Sequence, residues 1–159
     1  MLQRIRVENF QSIKEATLDL GAVTVLVGAG NAGKSPIMRA VSALLTNESG
    51  DDFIQKGADQ CSVTLLLDDQ EIAWTKRRGK GGTYHWNGQD FARTGSSVPE
   101  PIREFLGIRE VEIDATTSLM PQVHGQFDGP FIIGETGSKI ARILGKLTKL
   151  DVVVTAQMA

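Results

Sequence analysis

A chain of 159 residues, 41% hydrophobic and 23% charged, has the makeup of a folded domain with a sizeable core, and excludes a disordered or fibrous protein. A net charge of −2 gives no overall pull on nucleic acid, so any polyanion contact needs a local basic patch. The single cysteine, Cys61, rules out an internal disulfide and fits a reducing, cytoplasmic setting; charges at Arg4 and Arg6 sit where a signal peptide needs an apolar core, and no apolar run reaches membrane-spanning length.

Leu2, Ile5 and Val7 among charged residues predict a strand over Leu2–Phe10. Residues Ala16–Leu20 read as a second strand, and the apolar, β-branched run Ala22–Val27 as a third, buried one. Ile37, Ala40, Val41, Leu44 and Leu45 then recur at helical spacing to about Leu45. After a polar break at Asn47–Asp52, residues 61–67, 71–77 and 83–86 read as three strands of an antiparallel meander over about 61–91. Its punctuation is Asp68-Asp69-Gln70, Gly79-Lys80-Gly81-Gly82 and the tight-turn pair Asn87-Gly88. Pro99–Leu106 reads as a short helix opened by proline and Glu110–Ile113 as a strand. Residues 114–130 read as irregular. Ile140, Ile143, Leu144 and Leu147 place a last helix at about 138–150.

Between the third strand and the first helix stands Gly28-Ala29-Gly30-Asn31-Ala32-Gly33-Lys34-Ser35, which matches the phosphate-binding P-loop pattern G-x-x-x-x-G-K-[ST]. The chemistry asks for these residue types in this order. Glycines allow the dihedrals that turn backbone N–H groups inward, and the following helix offers the positive end of its dipole. Lys34 would reach the β- and γ-phosphates of ATP, and the Ser35 hydroxyl would hold Mg²⁺. Pro36 falls in the first helical turn, where its missing N–H has no intrahelical partner to lose.

Other features read as structural. Val63–Leu67 followed by Asp68 and Asp69 has the outline of an apolar strand ending in metal-binding acids, but a further strand-like run follows at once, which makes the pair a hairpin turn. The run Lys76-Arg77-Arg78-Gly79-Lys80 reads as a solvated hairpin tip, with contact to DNA phosphates as its alternative. Trp74, Tyr84 and Trp86 alternate along strands and read as sheet core. His85 and His124 lack the spacing of a metal site.

The opening Ile5-Arg6-Val7-Glu8-Asn9-Phe10-Gln11-Ser12-Ile13-Lys14, with the P-loop about twenty residues on, resembles the SMC/SbcC/RecF group of ABC-type DNA-repair ATPases. Asp51–Gly57 is similar to that group's segment after the first helix. Gln126-Phe127-Asp128-Gly129-Pro130-Phe131 is similar to the Q-loop region of its phage and bacterial SbcC-like branch. The resemblance covers almost the whole chain. It implies an α/β P-loop NTPase fold, an ABC-type half-head with an antiparallel β side sheet, spanning residues 1–159 as the head's N-terminal lobe.

Under that resemblance residues 28–36 bind ATP, Lys34 and Gln126 are catalytic, and Ser35 and Gln126 contact Mg²⁺. Gln126 belongs to a Q-loop at about 122–128, where Gln122 is the rival for its role. The helix at about 138–150 leads toward a coiled coil. The implied partners are a C-terminal lobe bearing the signature motif and the Walker B acids, a second head in a head-to-head homodimer, a nuclease subunit, and DNA. This sequence has no Ser-Gly-Gly signature, so hydrolysis by this chain alone is expected to be slow or absent. Two other readings stand beside this one: a non-catalytic P-loop nucleotide sensor or interaction module, and a self-sufficient small P-loop kinase.

Overall fold

A computed structural model describes residues 1–48, 50–92, 95, 97–108, 110–114, 117–121, 123–125 and 135–148. The chain divides into two compact units, Met1–Gly107 and Ile108–Ala159.

The first unit contains β1 (Leu2–Phe10), β2 (Ile13–Asp19), α1 (Lys34–Thr46), a 3₁₀ turn at Asp51–Phe53, β3 (Gln60–Leu67), β4 (Gln70–Arg77), β5 (Gly82–Trp86), β6 (Gln89–Phe91) and α2 (Glu100–Leu106). The strands form one six-stranded sheet in the order β2-β1-β3-β4-β5-β6, with every neighbouring pair antiparallel. Strand side chains alternate between faces, so the register carries one apolar row across the whole sheet: Ala16, Val7, Val63, Trp74, Tyr84 and Phe91 stand opposite one another in turn. Val7, Val63, Trp74 and Tyr84 are fully buried in it, together with Ala40, Ala43 and Leu44 of α1.

The turns follow from their residues. Asp68 and Asp69 take φ of +47° and +61°, and Asn87 and Gly88 take +50° and +73°. These are two-residue hairpin loops of the type that suits the right-handed twist of the flanking strands. Trp74 Nε1 donates to Asn47 Oδ1 at 3.3 Å, and Tyr84 Oη donates to the Leu44 carbonyl at 2.6 Å, so both buried polar tips are satisfied at the C-terminal end of α1. Asn47, at φ +56°, closes that helix, and its amide also donates to the carbonyls of Gly95 and Ser97.

Two expectations need correction here. The run Ala22–Val27 begins in a bend at Ala22 and Val23 and belongs to no sheet among the described residues; Val23, Val25 and Val27 are 86%, 76% and 89% exposed. Its β-branched residues favour a strand, but a strand needs a neighbouring backbone, and β1 already has β2 on one side and β3 on the other. The basic run at the β4–β5 turn is also not solvated throughout: Lys76 is buried. Two residues on from Trp74 along β4, it shares the inner face, so its charge needs an inward partner.

In the second unit, β7 (Val111–Asp114) pairs antiparallel with β8 (Thr117–Leu119), and α3 (Gly137–Leu147) lies against β7. β8 falls within the stretch read as irregular; three residues are too few for periodicity to be legible. Ile113 and Ile143 are buried in this unit, while Leu144 is about half exposed.

Candidate nucleotide-binding site

The glycine loop runs from Gly28 into the first residues of α1. Gly33 takes φ +92°, a region that side chains disfavour, and forms the N-terminal boundary of the helix. Asn31 also takes a positive φ, +61°, which asparagine tolerates better than most residues. The loop is closed by two backbone bonds, Ala32 N–H to the Ala29 carbonyl at 3.3 Å and Ile37 N–H to the Gly33 carbonyl at 3.2 Å. A side chain at Gly30 would meet nothing within 4 Å, so the crest of the loop is open to a ligand. Pro36 lies in the first turn of α1, before any proline N–H would be needed.

Lys34 folds back over this loop. Its Nζ donates to the carbonyls of Gly28 at 2.8 Å and Ala29 at 2.7 Å. The ammonium therefore sits among the loop's own backbone groups. A flexible four-carbon stem lets it exchange those neutral acceptors for phosphate oxygens without moving the helix. The Lys34 ammonium and the N-terminus of α1 thus stand together at this loop, a combination of cation and helix dipole that suits an anion, and Ser35 is the second residue of α1. Gln126 and its rival Gln122 lie outside the described residues.

The acids of the β3–β4 turn stand far from this loop. Asp68 pairs with the N-terminal ammonium of Met1, and Asp69 accepts from the Gln3 side chain at 3.1 Å. Both contacts lie at the start of β1. A Cβ on Gly33 would lie 3.9 Å from Ile13, beyond the other end of β1. The nine residues of β1 separate the two ends by roughly 26 Å, at about 3.3 Å per residue. Asp68 and Asp69 cannot serve a metal at the P-loop.

Among the described residues, no group of three or more histidine, cysteine or acidic side chains could hold a metal, and no helix is long and apolar enough to cross a membrane. The most perturbed titratable groups are structural. Burial raises the Cys61 thiol to about 11 and pushes the Tyr84 phenol higher still. Asp51 is held below the ordinary carboxylate value, chiefly by its hydrogen bond from Lys76 and then by the Gly79 N–H. Two residues that organise this unit escaped sequence reasoning. One is Asn47, whose only signal is an asparagine just past a helical run, a common helix stop. The other is Lys76, whose inward register was readable from its two-residue spacing from Trp74.

The AAA ATPase domain family matches residues 1–82. The chain belongs to that family. Among curated relatives, this AAA ATPase domain is 28% identical over 133 residues to the DNA double-strand break repair Rad50 ATPase of Sulfurisphaera tokodaii, covering 73% of this chain and 15% of that protein. It is 42% identical over 45 residues to the OLD nuclease of Thermus scotoductus, covering 28% of this chain and 8% of that protein. The chain thus spans a small part of either relative.

Among solved structures, the recombination mediator protein RecF with ATP, of the RecFOR pathway, superposes with a TM-score of 0.51 at 20% identity, covering 59% of this chain and 28% of that one. An SMC ATPase solved in work on ATP-driven dimerization and DNA-stimulated activation gives 0.51 at 18% identity, covering 68% of this chain and 92% of that one. The SMC head domain from Thermotoga maritima gives 0.50 at 22% identity, with 57% and 38% covered. The fold is that of the N-terminal lobe of an SMC/RecF-like, ABC-type ATPase head.

Proposed function

We propose that this AAA ATPase domain is the ATP-binding lobe of a DNA repair or recombination ATPase, that residues 28–36 hold Mg-ATP, and that hydrolysis requires a C-terminal lobe and a second head. The observation that carries the reading is the glycine loop at the start of α1 with the Lys34 ammonium folded into it, 2.8 Å and 2.7 Å from the Gly28 and Ala29 carbonyls. The loop N–H groups and the α1 dipole receive the phosphates, and Lys34 turns from those carbonyls to the β- and γ-phosphate oxygens. Ser35 would hold a divalent ion, which would supply charge neutralisation at the phosphates, and Gln126, carried over by resemblance, would orient the attacking water.

Phosphoryl transfer also needs groups that orient water and balance charge in the transition state. The acids at Asp68 and Asp69 are too distant to supply them. The exposed valines before the P-loop support the same conclusion, because an apolar strand unpaired within its lobe suits a sheet completed by another lobe. The Rad50 relative is a DNA double-strand break repair ATPase, and the SMC relative's work names ATP-driven dimerization; both are consistent with this assignment.

Calorimetric titration with Mg-ATP tests the site. Lys34→Ala removes a side-chain cation from the phosphates and should weaken binding at least tenfold, since a charge-assisted hydrogen bond contributes about 1.5–3 kcal/mol. Equal affinities for the two proteins overturn the assignment. In the same series, steady-state phosphate release should be near background for the lobe alone and rise when the C-terminal lobe is added. Vigorous Lys34-dependent hydrolysis by the lobe alone would refute the shared-site model.

A further inference from the structure

Two hairpins of the sheet turn on similar backbone geometry and are held in different ways. At β3–β4 the turn Asp68-Asp69 is pinned from β1. The Asp68 carboxylate pairs with the Met1 ammonium, Gln3 Nε2 donates to Asp69 Oδ1 at 3.1 Å, and the Asp69 N–H donates to Gln3 Oε1 at 3.1 Å. At β5–β6 the turn Asn87-Gly88, with φ of +50° and +73°, stands exposed at the margin of the sheet. Among the described residues, none bonds to the Asn87 side chain, and a Cβ on Gly88 would meet nothing within 4 Å.

Asn87 is also the one asparagine of the chain that precedes a glycine. Asn9, Asn31 and Asn47 precede Phe10, Ala32 and Glu48, and the Asn47 amide is buried and bonded to the Gly95 and Ser97 carbonyls. Asparagine is among the thermolabile residues, and the reason here is intramolecular. The Gly88 amide nitrogen, on giving up its proton, attacks Asn87 Cγ. An N–Cγ bond forms and closes a five-membered succinimide, the Cγ–Nδ2 bond breaks, and the amide leaves as ammonia. Water then opens the ring. Attack at Cγ breaks the new bond and yields aspartate; attack at the main-chain carbonyl breaks the original peptide bond and yields isoaspartate. A following residue with a Cβ crowds the attacking nitrogen, whereas glycine does not and rotates most freely. The turn's own hydrogen bond joins its first and fourth residues, which leaves the Gly88 N–H outside the ladder.

The two products differ in what they do to the sheet. Aspartate keeps the main-chain length and tolerates a positive φ, as Asp68 and Asp69 show. Isoaspartate routes the main chain through Cβ and adds a carbon to a two-residue loop, whose length sets the register of its strands. β6 has three residues, paired as Tyr84–Phe91, His85–Asp90 and Trp86–Gln89, and β5 is its one neighbour among the described residues. It has no second partner to hold it once that register fails.

We propose that Asn87 is a site of self-modification in the folded chain, converted through a succinimide to aspartate and isoaspartate, and that the isoaspartyl form releases β6 and leaves β5 as the edge of the sheet. Neither step involves the nucleotide site.

The full chain is incubated at mildly alkaline pH, with circular dichroism confirming that it stays folded, and its peptides are mapped by mass. The peptide carrying Asn87 should gain the mass of an amide-to-acid exchange, faster as pH rises, and those carrying Asn9, Asn31 and Asn47 should lag behind it. An isoaspartate O-methyltransferase with S-adenosylmethionine labels the isoaspartyl fraction. Asp128-Gly129 is the other pair open to this chemistry; it changes no mass and lies on a different peptide. Asn87→Gly suits a turn with two positive φ values and has no carboxamide, so it should show neither mass gain nor label at this turn. Hydrogen exchange on the separated forms reads the second step. The β6 amides should lose protection in the isoaspartyl form and keep it in Asn87→Asp.

No mass gain at Asn87 in the folded chain, a gain in denaturant alone, or an equal gain at Asn31 would overturn the site. Retained protection in the isoaspartyl form would overturn the release of β6, as would unprotected β6 amides in the unmodified chain, which would leave no strand to release. Equal loss of protection in Asn87→Asp would assign the effect to charge rather than main-chain length and overturn it as well.

Discussion

Val7 and Val27 are the same residue type, yet Val7 is 0% exposed and Val27 89%. Val7 belongs to a strand with neighbours on both sides, backed by α1. Val27 leads directly into the P-loop with no sheet partner among the described residues. One end of α1 is therefore tied into a finished core, through Leu44, Asn47, Trp74 and Tyr84. The other end, where the phosphates would sit, emerges from an unfinished strand. The lobe's stability and its nucleotide site rest on different parts of the molecule, and substitutions should separate them.

The largest effect should come from the finished region. Trp74→Ala removes a fully buried indole and leaves Asn47 Oδ1 without its 3.3 Å donor. A loss of about 3–5 kcal/mol is expected in chemical denaturation. Any change in Mg-ATP affinity at the far end of α1 should be small as long as the lobe stays folded. A parallel loss of affinity and stability would show that the two regions are one.

Gly82→Ala should come next. A Cβ there would overlap Trp74 Nε1 and lie 2.6 Å from Asn47 Oδ1, so the Trp74–Asn47 contact must open to admit it. Overpacking of this kind costs about 1–3 kcal/mol, read from the denaturation midpoint. The alkaline limb of stability reports on the same core. Cys61 has its folded value raised from 9.0 to about 11 and Tyr84 is raised further, so between pH 9 and 11 the folded state holds protons that the unfolded state gives up. Stability is then fully present below about pH 9 and falls as pH rises through 11. Cys61→Ala should remove part of that slope, while a variant in the 22–27 segment should leave it untouched.

The distribution of what could be read follows the same division. Residues that form elements with their own neighbours were legible: the alternation in β1, β3 and β4, the paired positive-φ turns at Asp68-Asp69 and Asn87-Gly88, the 3.6-residue spacing in α1. Each depends on contacts within a few residues or across a short hairpin. The glycine loop leading into α1 was legible because its residue types stand at fixed spacing before a helical run. The segment Ala22–Val27 was legible as a strand sequence but not as a strand, since pairing depends on a backbone that lies elsewhere. Lys76 and Asn47 were missed for a related reason. Their partners, Asp51 and Trp74, are 25 and 27 residues away, and no local pattern reports a contact at that range. The assignment of Gln126 rests on resemblance in a stretch outside the described residues.

The smallest effect on stability is expected where the comparison is sharpest. The combined change Val23→Thr, Val25→Thr and Val27→Thr keeps the β-branched shape and the preference for extended backbone while replacing a methyl by a hydroxyl at each position. In a buried strand such changes are costly, because each hydroxyl needs a partner. Here the side chains already face water, so each should shift the lobe's denaturation midpoint by the equivalent of less than about 0.5 kcal/mol. The same three residues are the apolar surface a C-terminal lobe would cover under the proposed function, so titration of that lobe onto the variant should show a weakened complex despite unchanged lobe stability. Mg-ATP affinity of the isolated lobe should also hold, because Gly28, Lys34 and Ser35 are intact. If the triple change unfolds the lobe, the valines are core residues and the segment is not an unfinished strand. If it leaves both stability and association unchanged, the surface that the second lobe uses lies elsewhere, and the exposure of Val27 has no part in assembling the site.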